Sequence, residues 1–148
     1  MRSEVQALYD AVILDHNKSP RNFRTLDGGR RGEGDNPLCG DRVTVYLRVD
    51  DGIITDATFQ GFGCAIVKAS ASLMTDSVKG KTVAEAVALF ERVHRLVTAP
   101  PGAPVEDLGA LSTLAAVRQF PVRVKCATLP WRTLQAAAEA RDEVVSTE

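Results

Sequence analysis

The sequence has no long apolar run, no paired cysteine motif and almost no net charge, and each absence excludes a class of protein. No segment approaches the ~20 apolar residues that a membrane-spanning helix needs. The amino terminus, Met1-Arg2-Ser3-Glu4, lacks the apolar stretch of a secretory signal. The formal net charge of −1, from 18 basic and 19 acidic residues, creates no field that would attract nucleic acid or an anionic membrane. We therefore expect a cytoplasmic protein that binds neither nucleic acid nor membrane.

Cysteine is scarce, and the three cysteines that occur are far apart. Cys39, Cys64 and Cys126 are separated by 25 and 62 positions. An odd number of cysteines suits a secreted disulfide framework poorly, and it favours reduced thiols that act as ligands or nucleophiles. With 148 residues, 45% of them apolar, the chain is predicted to form one domain over residues 1–148 that folds without disulfides.

Hydrophobic periodicity predicts a β-hairpin and several helices. Alternating apolar and polar residues over 43–49 and 53–59 predict two strands joined by the Asp51-Gly52 turn. The glycine-rich stretch 24–41 is predicted to be a surface loop. Helical spacing predicts helical segments over residues 3–17, 65–78, 82–97, 108–120 and 127–145. Ser3, a capping box of Thr82 with Glu85, and Asp107 are the predicted caps, and Pro121 is predicted to separate the last two segments.

These predicted elements place the cysteines where chain segments end. Cys39 lies on the glycine-rich loop, Cys64 opens a helix, and Cys126 stands just before the last helix. Such ends can converge at one edge of a sheet, and helix N-termini favour thiolate over thiol. Asp41 can reach the same ion from the loop of Cys39. Three thiolates and one carboxylate complete a tetrahedral site for zinc or iron.

The spacing alone supports a second interpretation equally well. Cysteine is among the most buried residue types, so the three could be unlinked residues of the core. Widely separated single cysteines also lack the local spacing that is typical of zinc motifs. Arg42, Arg123 and Lys125 are nevertheless placed to offset the negative charge of a metal site.

The two histidines are not expected to be ligands. His16 and His94 lie on predicted helices, where packed or surface histidines are the more common case. Neither is placed to act as the base for a serine in the small-residue stretch 69–72. Serine hydrolase chemistry therefore has little support.

Four groups of residues together resemble the U-type iron–sulfur cluster assembly proteins, and within them the SufU branch. They are Leu8-Tyr9 with Asp15-His16 and Pro20-Arg21-Asn22; Asn36-Pro37-Leu38-Cys39-Gly40-Asp41-Arg42; residues 59–66 with 69–74; and residues 120–129. The resemblance covers nearly the whole chain. It implies an α+β fold of the SufE/NifU-like (IscU-type) kind, in which a small antiparallel sheet of about three strands packs against several helices.

Two features favour the SufU branch over the scaffold branch of this family. Scaffold-type members carry a histidine directly before the third cysteine, where this chain has Lys125. SufU-type members have an insertion between the second and third cysteines, which the region 98–114 resembles. The resemblance to this branch implies a tightly bound zinc held by positions matching Cys39, Asp41, Cys64 and Cys126.

The same resemblance implies a sulfurtransferase that accepts persulfide sulfur from a SufS-type cysteine desulfurase and serves a downstream iron–sulfur assembly scaffold. It implies Cys39 as the acceptor, released when a histidine of the desulfurase takes its place on zinc, and Arg123 as a residue that orients Cys39 or docks the partner. Two alternatives stay open. The chain could be a scaffold that holds transient iron or an iron–sulfur cluster, or an interaction module whose zinc is purely structural.

Overall fold

The structure is a computed structural model that describes residues 4–37, 40–139 and 144–146, without the side chains of residues 4–9, 144 and 146. The elements in chain order are α1 (Glu4–Lys18), β1 (Arg30–Asn36), β2 (Asp41–Asp50), β3 (Ile53–Phe62), α2 (Ala65–Val78), α3 (Val83–Thr98), a 3₁₀ segment (Gly109–Gln119), α4 (Pro121–Ala138) and β4 (Val144–Ser146). The sheet order is β3-β2-β1-β4. Strands β1 to β3 are antiparallel and the short β4 is parallel to β1, which confirms the predicted α+β class with its small antiparallel sheet.

Strands β2 and β3 form the predicted hairpin. Its turn places Asp51 at φ 52° and Gly52 at φ 77°, the left-handed conformation that Asp-Gly turns adopt between twisted strands. Val43, Val45 and Leu47 are at most 2% exposed. Because alternate side chains of a strand point to the same face, this face of the hairpin supplies the sheet side of the core.

The prediction of a surface loop over 24–41 is wrong for its second half, where β1 pairs with β2 over seven positions. Glycine explains both the strand and the error. A Cβ atom on Gly32 would lie 2.5 Å from the carbonyl oxygen of Thr133, and one on Gly34 would lie 2.1 Å from the Thr133 hydroxyl. The two glycines therefore let α4 pack directly on the backbone of β1, a use of strand glycine that composition does not reveal.

The last helix is displaced from its predicted range of 127–145. It begins at Pro121, because proline fits the first helical position, where no N–H is needed. It ends at Ala138, and residues 144–146 pair with β1 as a strand instead. Cys126 consequently lies in the second turn of α4 and does not precede the helix.

The remaining helices follow the prediction closely. α1 and α2 occupy the expected ranges, although the predicted cap Ser3 lies outside the described residues. The side chains of Thr82 and Glu85 form the expected capping box at the start of α3. Asp107 accepts a hydrogen bond from the N–H of Gly109 at 3.1 Å at the start of the segment predicted over 108–120, which is a 3₁₀ helix.

A single hydrophobic core joins the sheet to the helices. Trp131 of α4 is 0% exposed and stacks on Phe90 of α3 with ring centroids 6.3 Å apart. The hydroxyl of Ser70 in α2 donates to the carbonyl of Ala127 in α4 at 2.7 Å. This bond aligns the two helices that carry Cys64 and Cys126. Within the described ranges, no helix has the length and apolar content to cross a bilayer.

Candidate metal centre

Three of the four predicted ligands meet at one place. One ligand atom from each of Asp41, Cys64 and Cys126 lies within 4.8 Å of the other two. Asp41 opens β2, Cys64 is the N-cap of α2, and Cys126 lies in α4. Zinc–sulfur bonds of ~2.3 Å put two sulfur ligands of a tetrahedral ion ~3.8 Å apart. The cluster therefore needs only a small contraction to hold one ion.

Cys39, the fourth predicted ligand, lies outside the described residues, so its place in the site stays a prediction. The described residues on either side of it are close together. The N–H of Gly40 donates to the carbonyl of Asn36 at 2.9 Å, and Asn36 pairs with Asp41 across the strands. Asn36 and Gly40, which flank the segment of Cys39, thus both lie next to Asp41.

The carboxylate of Asp41 connects the two thiol-bearing segments. It is 1% exposed. Its Oδ1 accepts the backbone N–H of Cys64 at 3.0 Å, and its Oδ2 lies 3.5 Å from Cys126 Sγ. A Cβ atom on Gly63 would lie 2.4 Å from Oδ1. Glycine directly before Cys64 is therefore what allows this buried carboxylate to lie against the backbone.

Cys64 is half-buried and favours the thiolate form. The pKa of Cys64 is lowered from its ordinary 9.0 to about 6, mainly because Cys126 donates a hydrogen bond to its sulfur. The backbone N–H groups of Val67 and Ile66 also donate to this sulfur and lower its pKa further. Burial and the charge of Asp41 oppose this shift. The N-terminus of α2 thus supplies donors to the sulfur, as expected for a cysteine at a helix start.

Cys126 behaves in the opposite way. It is 1% exposed, and its pKa is raised because it donates a hydrogen bond to Cys64, because it is buried, and because Cys64 and Asp41 are negatively charged nearby. In the absence of a cation, these contacts thus favour a thiolate on Cys64 and a thiol on Cys126. A dication would displace the second proton, since metal ligation requires deprotonated sulfur. Two sulfurs and one buried carboxylate are a donor set that fits zinc or iron.

The basic residues predicted to offset this charge lie at the surface near the ligands in sequence. Arg42 follows Asp41 and is exposed, and Lys125 is partly buried beside Cys126. Arg123 is exposed in the first turn of α4, and its guanidinium group has no ion-pair partner in the described part of the chain. The role of Arg123 in catalysis, orienting Cys39 or docking the partner, stays a prediction.

Sequence reasoning gave no role to Asn36, although this residue stands in the segment that carries Cys39. Asn36 is 1% exposed, its Nδ2 lies 4.0 Å from Cys126 Sγ, and its Oδ1 has no hydrogen-bond partner among the described residues. Sequence reasoning also missed two exposed apolar side chains that lie near the predicted ligands in the sequence. Phe62, two residues before Cys64, is 66% exposed, and Val122, four residues before Cys126, is 63% exposed.

One expectation about the histidines is wrong. His16 Nδ1 lies 2.6 Å from Ser72 Oγ, so a histidine does stand beside a serine of the stretch 69–72. The same hydroxyl accepts the backbone N–H of Arg21 at 2.8 Å, and Ser72 is 0% exposed. The pair joins α1 to α2 inside the core, where no substrate can reach it. Hydrolase chemistry therefore remains without support.

The protein is thus an α+β protein with a cluster of two cysteines and one carboxylate beside its sheet. Residues 8–127 match the model of the NifU-like N terminal domain. The chain belongs to that family, and the resemblance found in the sequence is confirmed.

Individual relatives agree with this assignment. The chain is 38% identical over 133 residues to the zinc-dependent sulfurtransferase SufU of Bacillus subtilis (strain 168), with 90% of each chain covered. It is 40% identical over 135 residues to the iron–sulfur cluster assembly scaffold protein IscU of Streptococcus pyogenes serotype M1, with 91% of this chain and 85% of the relative covered. A crystal structure from Fervidobacterium islandicum AW-1, described as an iron–sulfur cluster assembly scaffold protein for the SUF system, superposes with a TM-score of 0.80 at 33% identity, covering 90% of this chain and 98% of that one.

Proposed function

We propose that this protein is a zinc-dependent sulfur acceptor that takes persulfide sulfur from a cysteine desulfurase for iron–sulfur cluster assembly. The observation that carries the proposal is the meeting of Asp41, Cys64 and Cys126 within 4.8 Å. The similarity of this chain to both a sulfurtransferase and scaffold proteins supports a role in cluster assembly. Lys125, where the scaffold branch has a histidine, favours the sulfur-acceptor role.

The zinc would be held by Asp41, Cys64 and Cys126, with Cys39 as the fourth ligand. When bound, zinc keeps these thiols deprotonated and links β2, α2 and α4. The chain itself favours deprotonation of one of these thiols, because the α2 N-terminus and the Cys126 hydrogen bond stabilise the Cys64 thiolate without a metal.

The sulfur transfer is a thiol–persulfide exchange. The thiolate of Cys39, once a histidine of the desulfurase has replaced it as a ligand, would attack the outer sulfur of the desulfurase cysteine persulfide, so that a new S–S bond forms on Cys39. The S–S bond of the donor breaks, and its cysteine leaves as a thiolate. The exchange moves one sulfur atom and requires no oxidant. Cys126 is a poor candidate for the acceptor because it is 1% exposed.

The surroundings of the site support a protein as the sulfur donor. Phe62 and Val122 are 66% and 63% exposed, and Phe120 at the start of α4 is 46% exposed. All three lie within six residues of a predicted ligand in the sequence. Contiguous apolar patches on a protein surface are typical of docking sites. We propose that these three side chains, here called the apolar rim, contact a SufS-type desulfurase, and that Arg123 assists this docking.

The decisive experiment mixes the zinc-loaded protein with a SufS-type desulfurase and cysteine, followed by peptide mass mapping. We expect one additional sulfur atom on the peptide that contains Cys39, and metal analysis of protein purified without chelators should give zinc. A second candidate, a cluster scaffold, is favoured by the names of several relatives. A visible chromophore that forms on anaerobic reconstitution and moves intact to an apo-protein, without persulfide on the chain, would establish the scaffold and overturn the sulfur-acceptor proposal.

A further inference from the structure

We propose that Asn36 is a positioning residue of the metal centre, whose side-chain amide donates a hydrogen bond to the sulfur of Cys126 and keeps that thiolate on the metal. The inference rests on the metal site of the proposed function and is independent of sulfur transfer. It assigns different tasks to the cysteines, with Cys126 as the ligand that stays bound.

The polar contacts of Cys126 Sγ show why a donor is needed. Asp41 Oδ2 lies at 3.5 Å, the carbonyl oxygen of Val122 at 3.9 Å, and Asn36 Nδ2 at 4.0 Å, and Cys64 accepts a hydrogen bond from this sulfur. All of these groups except the Asn36 amide are acceptors, which suit a thiol that carries its proton. When a bound metal displaces this proton to solvent, the Val122 carbonyl faces a negative sulfur and no longer stabilises it. The amide of Asn36 is then a donor within reach of the thiolate, and hydrogen bonds to charged acceptors are the stronger kind.

Stability of the fold does not explain why an amide is buried here. Asn36 is 1% exposed and its Oδ1 has no partner in the described part of the chain. A buried carbonyl without a hydrogen bond is costly, and an apolar side chain of the same shape would avoid that cost. The donor that the amide offers to Cys126 is the feature that an apolar residue could not supply.

The main chain of Asn36 serves the other side of the site. Its carbonyl accepts the N–H of Gly40 at 2.9 Å, across the segment that carries Cys39. Asn36 therefore contacts Cys126 with its side chain, and its backbone is bonded to Gly40, the residue after Cys39. Groups that hydrogen-bond to metal ligands commonly affect metal affinity by about 10- to 100-fold.

The test compares Asn36→Leu with the unaltered protein in two measurements that do not involve sulfur transfer. Zinc affinity is measured by competition with a chelator, and we expect a loss of about 10- to 100-fold. The cobalt(II)-substituted protein is measured by absorption spectroscopy. We expect its sulfur-to-cobalt charge-transfer band to move to lower energy, because a thiolate without the hydrogen bond holds its electrons less tightly.

Thr58→Val is the matched control. Thr58 is 0% exposed and its hydroxyl also lacks a partner among the described residues, but it lies in the middle of β3 opposite Tyr46, away from the cluster. We expect this variant to keep both the zinc affinity and the cobalt spectrum. A purely structural role for Asn36 would change thermal unfolding and leave the cobalt band of the folded, metal-loaded variant in place.

The inference is overturned if Asn36→Leu folds and keeps both the zinc affinity and the cobalt band of the unaltered protein. If the leucine variant does not fold, Asn36→Ala provides the same test, since it removes the donor without adding bulk. Failure of the unaltered protein to bind zinc or cobalt would overturn the proposed function together with this inference. Metal binding without persulfide on the chain would overturn the proposed function alone.

Discussion

Replacing Asp41 by asparagine is expected to remove much of the stability that zinc provides while leaving the metal-free protein folded. The substitution keeps the shape of the side chain, so its oxygen can still accept the N–H of Cys64, as Oδ1 does at 3.0 Å. It removes the negative charge, and a neutral amide is not among the usual ligands of zinc. Because Asp41 is 1% exposed, water is poorly placed to take over as a ligand.

The size of the effect follows from the change in affinity. Loss of a group that only supports a ligand weakens metal binding by about 10- to 100-fold, so loss of the Asp41 ligand itself should weaken zinc binding by at least about 100-fold, and stabilisation by zinc in excess then falls by at least about 2.7 kcal/mol. A chain of about 150 residues loses roughly 2–4 °C in Tm for each kcal/mol, so the zinc-bound Tm should fall by roughly 5–11 °C or more. The metal-free Tm should change little, since the substitution also removes repulsion between the carboxylate and the Cys64 thiolate.

Thermal unfolding with chelator and with excess zinc measures both values. Asp35→Asn is the matched control, because Asp35 lies in β1 opposite Arg42 and outside the cluster. We expect the control to keep the full zinc-dependent increase in Tm. An Asp41→Asn protein that gains as much Tm from zinc as the unaltered protein would refute the assignment of Asp41 as a ligand.

Three further outcomes are expected. Cys39→Ala should accept no sulfur and should not activate the desulfurase, yet should retain some zinc; full persulfide formation in this variant, measured by mass spectrometry, would remove Cys39 as the acceptor. In the chelated native protein, Cys64 should react with iodoacetamide at a nearly constant rate above about pH 7 and more slowly as the pH falls through its pKa of about 6, where the thiolate is protonated. Peptide mapping should find Cys126 unmodified under these conditions, and a Cys64 rate that still climbs steeply towards pH 9 would contradict the lowered pKa. Phe62→Ser should weaken desulfurase binding by about fivefold or more, the effect of the minority of interface residues that cost over about 1 kcal/mol when truncated, with zinc content unchanged, whereas Ile53→Ser at the opposite end of β3 should leave binding intact; equal binding by both variants in calorimetry would argue against the apolar rim.

The parts of the fold that could be predicted are those in which local chemistry and tertiary structure agree. The Asp51-Gly52 turn sits between two alternating strands, and the Thr82–Glu85 capping box opens a helix with one apolar face. Each signal acts within a few residues, so neighbouring sequence contains the whole cause.

The parts that could not be predicted depend on contacts between distant segments. β1 contains glycine where α4 packs on it, so its composition is typical of a loop. Pro121 was expected to separate two segments, but it is the first residue of α4, and this moved Cys126 into the helix.

The candidate site divides in the same way. Cysteine chemistry and the resemblance to a family pointed to Asp41, Cys64 and Cys126, which the structure brings together. Asn36 could not be given a role, because its importance depends on a sulfur 90 positions away in the sequence. The exposure of Phe62 is equally a property of the folded chain, since phenylalanine is more often buried than exposed.

The contact between β1 and α4 makes the reactive centre sensitive to positions well outside it. Gly34 has a hydrogen atom where any other residue would place carbon, and that carbon would overlap the Thr133 hydroxyl and crowd Leu129. A single methyl group there would press on α4 and displace this helix, together with the sulfur of Cys126, away from Asp41. The alignment of the predicted ligands thus depends on the absence of a side chain at Gly34, two residues along the strand from Asn36, and a search for loss-of-function substitutions should include positions that touch neither ion nor partner.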